Sequence, residues 1–184
     1  MLKSVKASLL GATLLAISGL QSVQATPVLV QDFWGKDAQN QQVHFARLVV
    51  DTKAATQWNG NFYQATNWQS FTIFGQDVQT PAFNFLAEFD ISDLLKGFTF
   101  LQFDVSDVNN QYNFFGINFG NVNDAYYELR LADLPYSDPQ GEVFAGSNVI
   151  APTATVDAPT SLGMLAIAAT AIAWRRRQQS QLSK

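Results

Sequence analysis

Between Ala82 and Asp90 the apolar side chains fall on alternate positions, Phe83, Phe85, Ala87 and Phe89, with Asn84, Glu88 and Asp90 between them and Leu86 as the exception. Only an extended strand turns a repeat of two into one apolar face, so this stretch must lie half-buried in a sheet. The same repeat recurs in Phe98–Val105, where Thr99, Leu101, Phe103 and Val105 share a side. In Ala125–Leu131, Tyr127, Leu129 and Leu131 oppose Tyr126, Glu128 and Arg130, and the polar set is expected to face water. Shorter runs at Val28–Phe33, Val43–Asp51, Phe71–Phe74, Phe114–Phe119 and Glu142–Ala145 complete a series of strands parted by Gly, Asn, Asp and Pro. Asp90–Gly97 has room for a helical turn or two, with Ser92 as N-cap and Gly97 as its end. Seven to nine short strands, no long helix and fifteen phenylalanines predict an all-β body, a single antiparallel β-sandwich, with a barrel second. Jelly-roll-like and immunoglobulin-like strand orders are both compatible with this pattern.

The two chain ends read as addresses. Lys3 and Lys6 precede an apolar run from Ala7 to Leu20, and Val23-Gln24-Ala25 is a small-residue cleavage site, so residues 1–25 read as a signal peptide and Thr26 as the mature start. The body then spans residues 26–146, and the small, polar, proline-bearing stretch 147–156 reads as a linker. At the other end, Asp157-Ala158-Pro159 is followed by the apolar run Leu162–Trp174 and by Arg175, Arg176 and Arg177. Thirteen residues of helix reach about 20 Å, short of the ~30 Å hydrocarbon core, which makes a poor permanent anchor. The arginines hold the C-terminus on the cytoplasmic side, so the body lies across the membrane.

In order and position these parts resemble the PEP-CTERM sorting signal: a Pro-Glu-Pro type motif, a short apolar helix and terminal arginines. Exosortase enzymes of Gram-negative bacteria recognise that signal, often in strains that make exopolysaccharide. Here Asp157-Ala158-Pro159 keeps only the second proline and moves the carboxylate one place, and the resemblance covers about 28 of 184 residues. It implies transient inner-membrane insertion through residues 162–174, cutting near Pro159 by an exosortase-type membrane enzyme, and a cell-surface or extracellular product. A short retained tail is the alternative. The Val49-Val50-Asp51-Thr52 strand end and the phenylalanine-rich alternation are also similar to small substrate domains of that family, which implies the fold class alone.

All fifteen acids lie between Asp32 and Asp157, against five bases in the same span, Lys36, Arg47, Lys53, Lys96 and Arg130, so the body carries about −10 where the whole chain carries −4. Such a body argues against nucleic acid, whose phosphates need a surplus of Lys and Arg. With no cysteine there is no disulfide frame, thiol nucleophile or thiolate metal site. The single histidine, His44, sits in an apolar strand and reads as a structural residue. No nucleophile elbow, phosphate loop or paired-histidine zinc motif occurs, so no catalytic residue is assigned and the chain reads as non-enzymatic.

Two groups of residues remain as candidate sites. Thr52–Gln69 is a long polar insert in which Trp58, Phe62, Tyr63 and Trp68 alternate with Asn59, Asn61, Gln64, Asn67 and Gln69. Aromatic faces beside amides suit sugar rings and their hydroxyls, while a lid over the core is the plainer use of the same rings. Asp104, Asp107 and Asn109, at a strand-to-loop corner, offer hard oxygen ligands for calcium, though without the glycine and distal glutamate of an EF-hand; a solvated polar loop is the plainer reading. The leading expectation is an exported, non-enzymatic surface or matrix protein. Behind it stand an exopolysaccharide-binding module and a surface glycoside hydrolase built on a carboxylate pair such as Asp90 with Asp93 or Asp104 with Asp107.

Overall fold

The computed structural model describes residues 26–80, 82–120 and 124–157. Residues 1–25, read from the sequence as a signal peptide, and those beyond Asp157, read as a sorting segment with Ala158, Pro159, Arg175, Arg176 and Arg177, lie outside the described residues. Among the described residues the strands are β1 (Val28–Lys36), β2 (Gln42–Asp51), β3 (Thr56–Asn59), β4 (Phe62–Ala65), β5 (Ser70–Ile73), β6 (Gln76–Asp77), β7 (Asn84–Asp90), β8 (Phe98–Ser106), β9 (Tyr112–Asn118), β10 (Ala125–Leu131), β11 (Glu142–Ala145), β12 (Val149–Ile150) and β13 (Thr155–Asp157). They form two antiparallel sheets, one in the order β12-β1-β2-β5-β6 with β13 also on β1, the other β11-β10-β9-β8-β7-β4-β3. The architecture is all-β and sandwich-like. No helix among the described residues is long and apolar enough to cross a membrane.

The alternation seen in the sequence is what joins the sheets. Phe33 and Phe45 from one sheet meet Phe103, Phe114 and Tyr127 from the other, and Phe33, Phe45, Phe71, Phe89, Phe103 and Phe114 are all fully buried. Their rings pack largely edge to face: Phe33 on Phe114 at 5.0 Å and 85°, Phe71 on Phe103 at 5.2 Å and 88°. That geometry sets the positive rim of one ring against the negative face of the next and adds to the hydrophobic gain. Gly116 leaves room for it, because a Cβ there would come within 2.3 Å of the Phe103 ring and 2.7 Å of Tyr127.

Four expectations change. The insert Thr52–Gln69 is not a free loop, since β3 and β4 form a hairpin that extends the seven-stranded sheet from β7. Its own short alternation, too brief to stand out between polar residues, is completed by pairing with β7. The stretch 147–156 is not a linker. β12 and β13 pair with β1, the Gln31 side-chain amide donates to the Pro152 carbonyl, and Ala154 is buried against Gly97. Backbone hydrogen bonds and small side chains attach it, neither of which a composition-based reading weighs. Phe83 is 92% exposed instead of sharing the face of Phe85, because β7 begins only at Asn84. Ser92 does not cap a helix either. Its hydroxyl donates to Asp90 Oδ1 at 2.6 Å, and a short 3₁₀ turn at Leu94–Lys96 follows Asp93 and ends at Gly97, whose φ is 73°.

Candidate functional site

The four aromatic residues of the insert go to three places. Trp58 and Phe62 are exposed on the β3–β4 hairpin, with ring centroids 6.4 Å apart. Tyr63 points the other way, as its neighbour in the strand must, and stacks on Phe89 at 6.4 Å and 19°. Trp68, just before β5, is half-buried, with its ring wedged edge to face between Phe71 at 5.7 Å and Phe85 at 5.0 Å. The remainder of that side chain separates two surface depressions of about 580 and 490 Å³. Gln69, Ser70, Gln79 and Thr80 line the first, and Thr66, Asn67, Phe83 and Asn84 the second. Trp68 thus serves both as a lid on the core and as the wall of an open, amide-rich groove. A single platform of four rings does not form.

Asp104 and Asp107 do not converge. The side chains of β8 that share parity with Phe103 and Val105 turn inward, and Asp107, just past the strand, continues that set and is fully buried. Its carboxylate accepts three backbone N–H groups, Asn109 at 3.1 Å, Gln111 at 2.8 Å and Tyr112 at 2.6 Å, and so fixes the turn into β9. Asn109 donates its own side-chain amide to Gln76 at 3.2 Å. Asp104 belongs to the outward set. No group of three or more His, Cys, Asp or Glu among the described residues is placed to hold a metal ion.

On the outer face of the seven-stranded sheet lies a site that the sequence concealed. Tyr126, Glu128 and Arg130 share the outer side of β10, yet Glu128 and Arg130 are only 5% and 6% exposed. The segment after β10 folds back over them. Arg130 Nη2 donates to the carbonyls of Pro135 at 3.2 Å and Asp138 at 2.5 Å, and its guanidinium carbon lies 4.9 Å from the centre of the Tyr136 ring. Asp138 Oδ1 accepts the Gln140 N–H at 2.9 Å and starts the 3₁₀ turn that leads into β11. Glu128 is fully engaged: Oε1 takes Arg130 Nη1 at 2.8 Å, while Oε2 takes the hydroxyls of Tyr126 and Tyr136, each at 2.9 Å.

Burial by itself would push the Glu128 carboxyl up, but the bonds from Arg130, Tyr136 and Tyr126 and the arginine charge outweigh it and hold the group below its ordinary value. Burial, then the bond to Glu128, pushes the Tyr126 phenol up to about 12. Asp104, Asn113, Phe115, Glu128, Arg130 and Tyr136 line a cleft of about 340 Å³ beside this network. Among the described residues no hydrogen-bond donor reaches the Asp104 carboxylate in this cleft, and burial holds that group above its ordinary value.

His44, on the outer face of the other sheet, hydrogen-bonds Asp32 Oδ1 at 2.9 Å and rests 4.8 Å from the Trp34 ring, an exposed strand contact. No protein-family model, characterised protein or solved structure matches the chain.

Proposed function

We propose that the chain is an exported, non-enzymatic cell-surface protein whose β-sandwich body binds polysaccharide in the groove at Trp68. The observation that carries this is the placement of Trp68. Two buried phenylalanines lock one part of the ring, while the other part stands between two open depressions bordered by Asn67, Gln69, Gln79 and Asn84. A ring already fixed loses little entropy when a sugar stacks on it, and nearby amides both donate to and accept from hydroxyls. Location rests on the sequence: the signal peptide 1–25 for export, and Asp157-Ala158-Pro159, residues 162–174 and Arg175–Arg177 for delivery by an exosortase-type enzyme.

Binding is favoured over glycoside hydrolysis by the state of the outer-face carboxylates. Glu128 has both oxygens hydrogen-bonded, Oε1 to Arg130 and Oε2 to two tyrosines, so it is held as a charge-paired carboxylate instead of standing free as a nucleophile or general base. Retention on an immobilised exopolysaccharide column tests the reading. Trp68→Ala should elute early, while Trp58→Ala, on the separate hairpin, should elute like the parent. Equal retention of parent and Trp68→Ala, with both folded by circular dichroism, would refute the groove as the site.

A further inference from the structure

The register of the seven-stranded sheet joins the groove to the outer-face cleft. Asn84 pairs with Asp104, Asp104 with Phe115 and Phe115 with Glu128, so the four residues form one transverse row on the outer face across β7, β8, β9 and β10. Asn84 lines the depression beside Trp68, and the other three line the cleft under Tyr136. Residues 132–141 cover Glu128, so the open part of the row runs from Asn84 to Phe115 and covers about 10 Å at ~4.8 Å per strand, room for about two sugars of an extended chain beyond the Trp68 groove. The flanking row, Leu86, Gln102, Ile117 and Tyr126, follows from the same pairings and gives the path a second wall of apolar and amide groups.

Charge selects among chains. Along this row Glu128 is neutralised by Arg130, whereas Asp104 has neither a donor nor a counter-charge among the described residues. A partly desolvated carboxylate without a partner is costly, and a ligand ammonium would relieve that cost directly. Fifteen acids against five bases in the body draw a cationic polymer toward the body as a whole and repel an acidic one. We propose that Asn84, Asp104 and Phe115 form a track for an extended polysaccharide carrying free amino groups, with Phe115 stacking on a ring, Asp104 pairing an ammonium and the covered Glu128 closing its far end. This rests on the saccharide-binding reading above and extends its groove into a path across three strands.

The test uses the full-length chain in detergent, titrated calorimetrically with glucosamine oligomers of two and six sugars and with the fully acetylated six-sugar chain. The amine hexamer should bind about tenfold tighter than either of the others and weaken as salt rises. Asp104→Asn should erase the preference for amine over acetylated chains without lowering the melting temperature, and Phe115→Ala should weaken the hexamer but not the dimer. A dimer as tight as the hexamer, an acetylated chain as tight as the amine chain, or an Asp104→Asn variant with the parent's preference would each overturn the track. If acetylated chains bind through Trp68 alone, only the track fails; if no oligomer binds in any arm, the saccharide-binding reading fails with it.

Discussion

Gly116 is the position at which one methyl group should test the packing logic of the whole sandwich. It lies mid-strand in β9, on the inner face, paired with Phe103 on one side and Tyr127 on the other. A Cβ added there would meet Phe103 Cζ at 2.3 Å, Phe103 Cε1 at 2.6 Å and Tyr127 Cδ1 at 2.7 Å. The Phe103 ring cannot swing clear, because Phe114 lies 4.7 Å away, Phe71 5.2 Å and Phe33 5.7 Å, all of them fully buried. Gly116→Ala should therefore cost about 1–3 kcal/mol through overpacking, despite the better strand propensity of alanine. At about 4 °C per kcal/mol for a body of this size, the melting temperature should fall by roughly 4–12 °C.

A double-mutant cycle in urea assigns the cause. Phe103→Leu alone should be destabilising by leaving a void, but it also removes the ring tip that blocks the new methyl. The double variant should then be more stable than the sum of the single effects predicts, with a coupling of about 1 kcal/mol. Gly116→Ala within ~0.5 kcal/mol of the parent, or strict additivity with Phe103→Leu, would refute the reasoning.

Four further expectations concern the carboxylates. Glu128 is depressed below its ordinary value of 4.5, so its contribution is present above that pH and is lost as pH falls through its lower folded value; Asp104 is raised, so its penalty is present near neutrality and relieved as pH falls. Urea midpoints against pH should show a shallower acid loss for Glu128→Gln than for the parent, and a midpoint at pH 7 no lower than the parent's for Asp104→Asn; the reverse order would contradict these assignments. Asp107→Ala orphans three backbone N–H groups and should cost at least about 2 kcal/mol. Because Asp104 and Asp107 face opposite ways, millimolar calcium should leave the melting temperature where EDTA leaves it, and a calcium-dependent rise lost in Asp107→Asn would mean that the turn rearranges around an ion.

The layers of the fold were legible because they depend on a local rule. Phe85, Ala87 and Phe89, or Leu101, Phe103 and Val105, need only the pleat to declare which side is buried. Pairings that depend on the partner were not legible in the same way. Thr56–Asn59 and Phe62–Ala65 look like polar loop until β7 supplies an edge to which they can bond. Val149–Ile150 and Thr155–Asp157 are too short and too small in side chain to suggest strands, and they become so only by covering the open edge of β1. That cover places Asp157 opposite Val28, so the first residue of the Asp157-Ala158-Pro159 motif belongs to the folded body.

Glu128 and Arg130 show why the candidate site was harder to read than the fold. Parity assigns them correctly to the outer side of β10, and from there the usual step is to leave them in water. That step assumes an open face, and residues 132–141 close it. A local signal did exist: Arg130 lies two positions from Glu128, hence beside it on one face, with Tyr126 two further along, and a ten-residue connection holding Pro135, Asp138, Pro139 and Gly141 follows at once. Proline and glycine there set a path that returns over the strand it has left, and its carbonyls at Pro135 and Asp138 supply the arginine with acceptors no side chain could have announced. Once Arg130 is held, Glu128 must be neutralised in place, two tyrosine hydroxyls complete its shell, and the only outward carboxylate of the row left without a partner is Asp104. Asp104 is thus left unpaired because the carbonyls of Pro135 and Asp138, 31 and 34 residues further along the chain, fix the guanidinium that neutralises Glu128, which is why residue type alone could suggest Asp104 for a cation yet name the wrong neighbours for it.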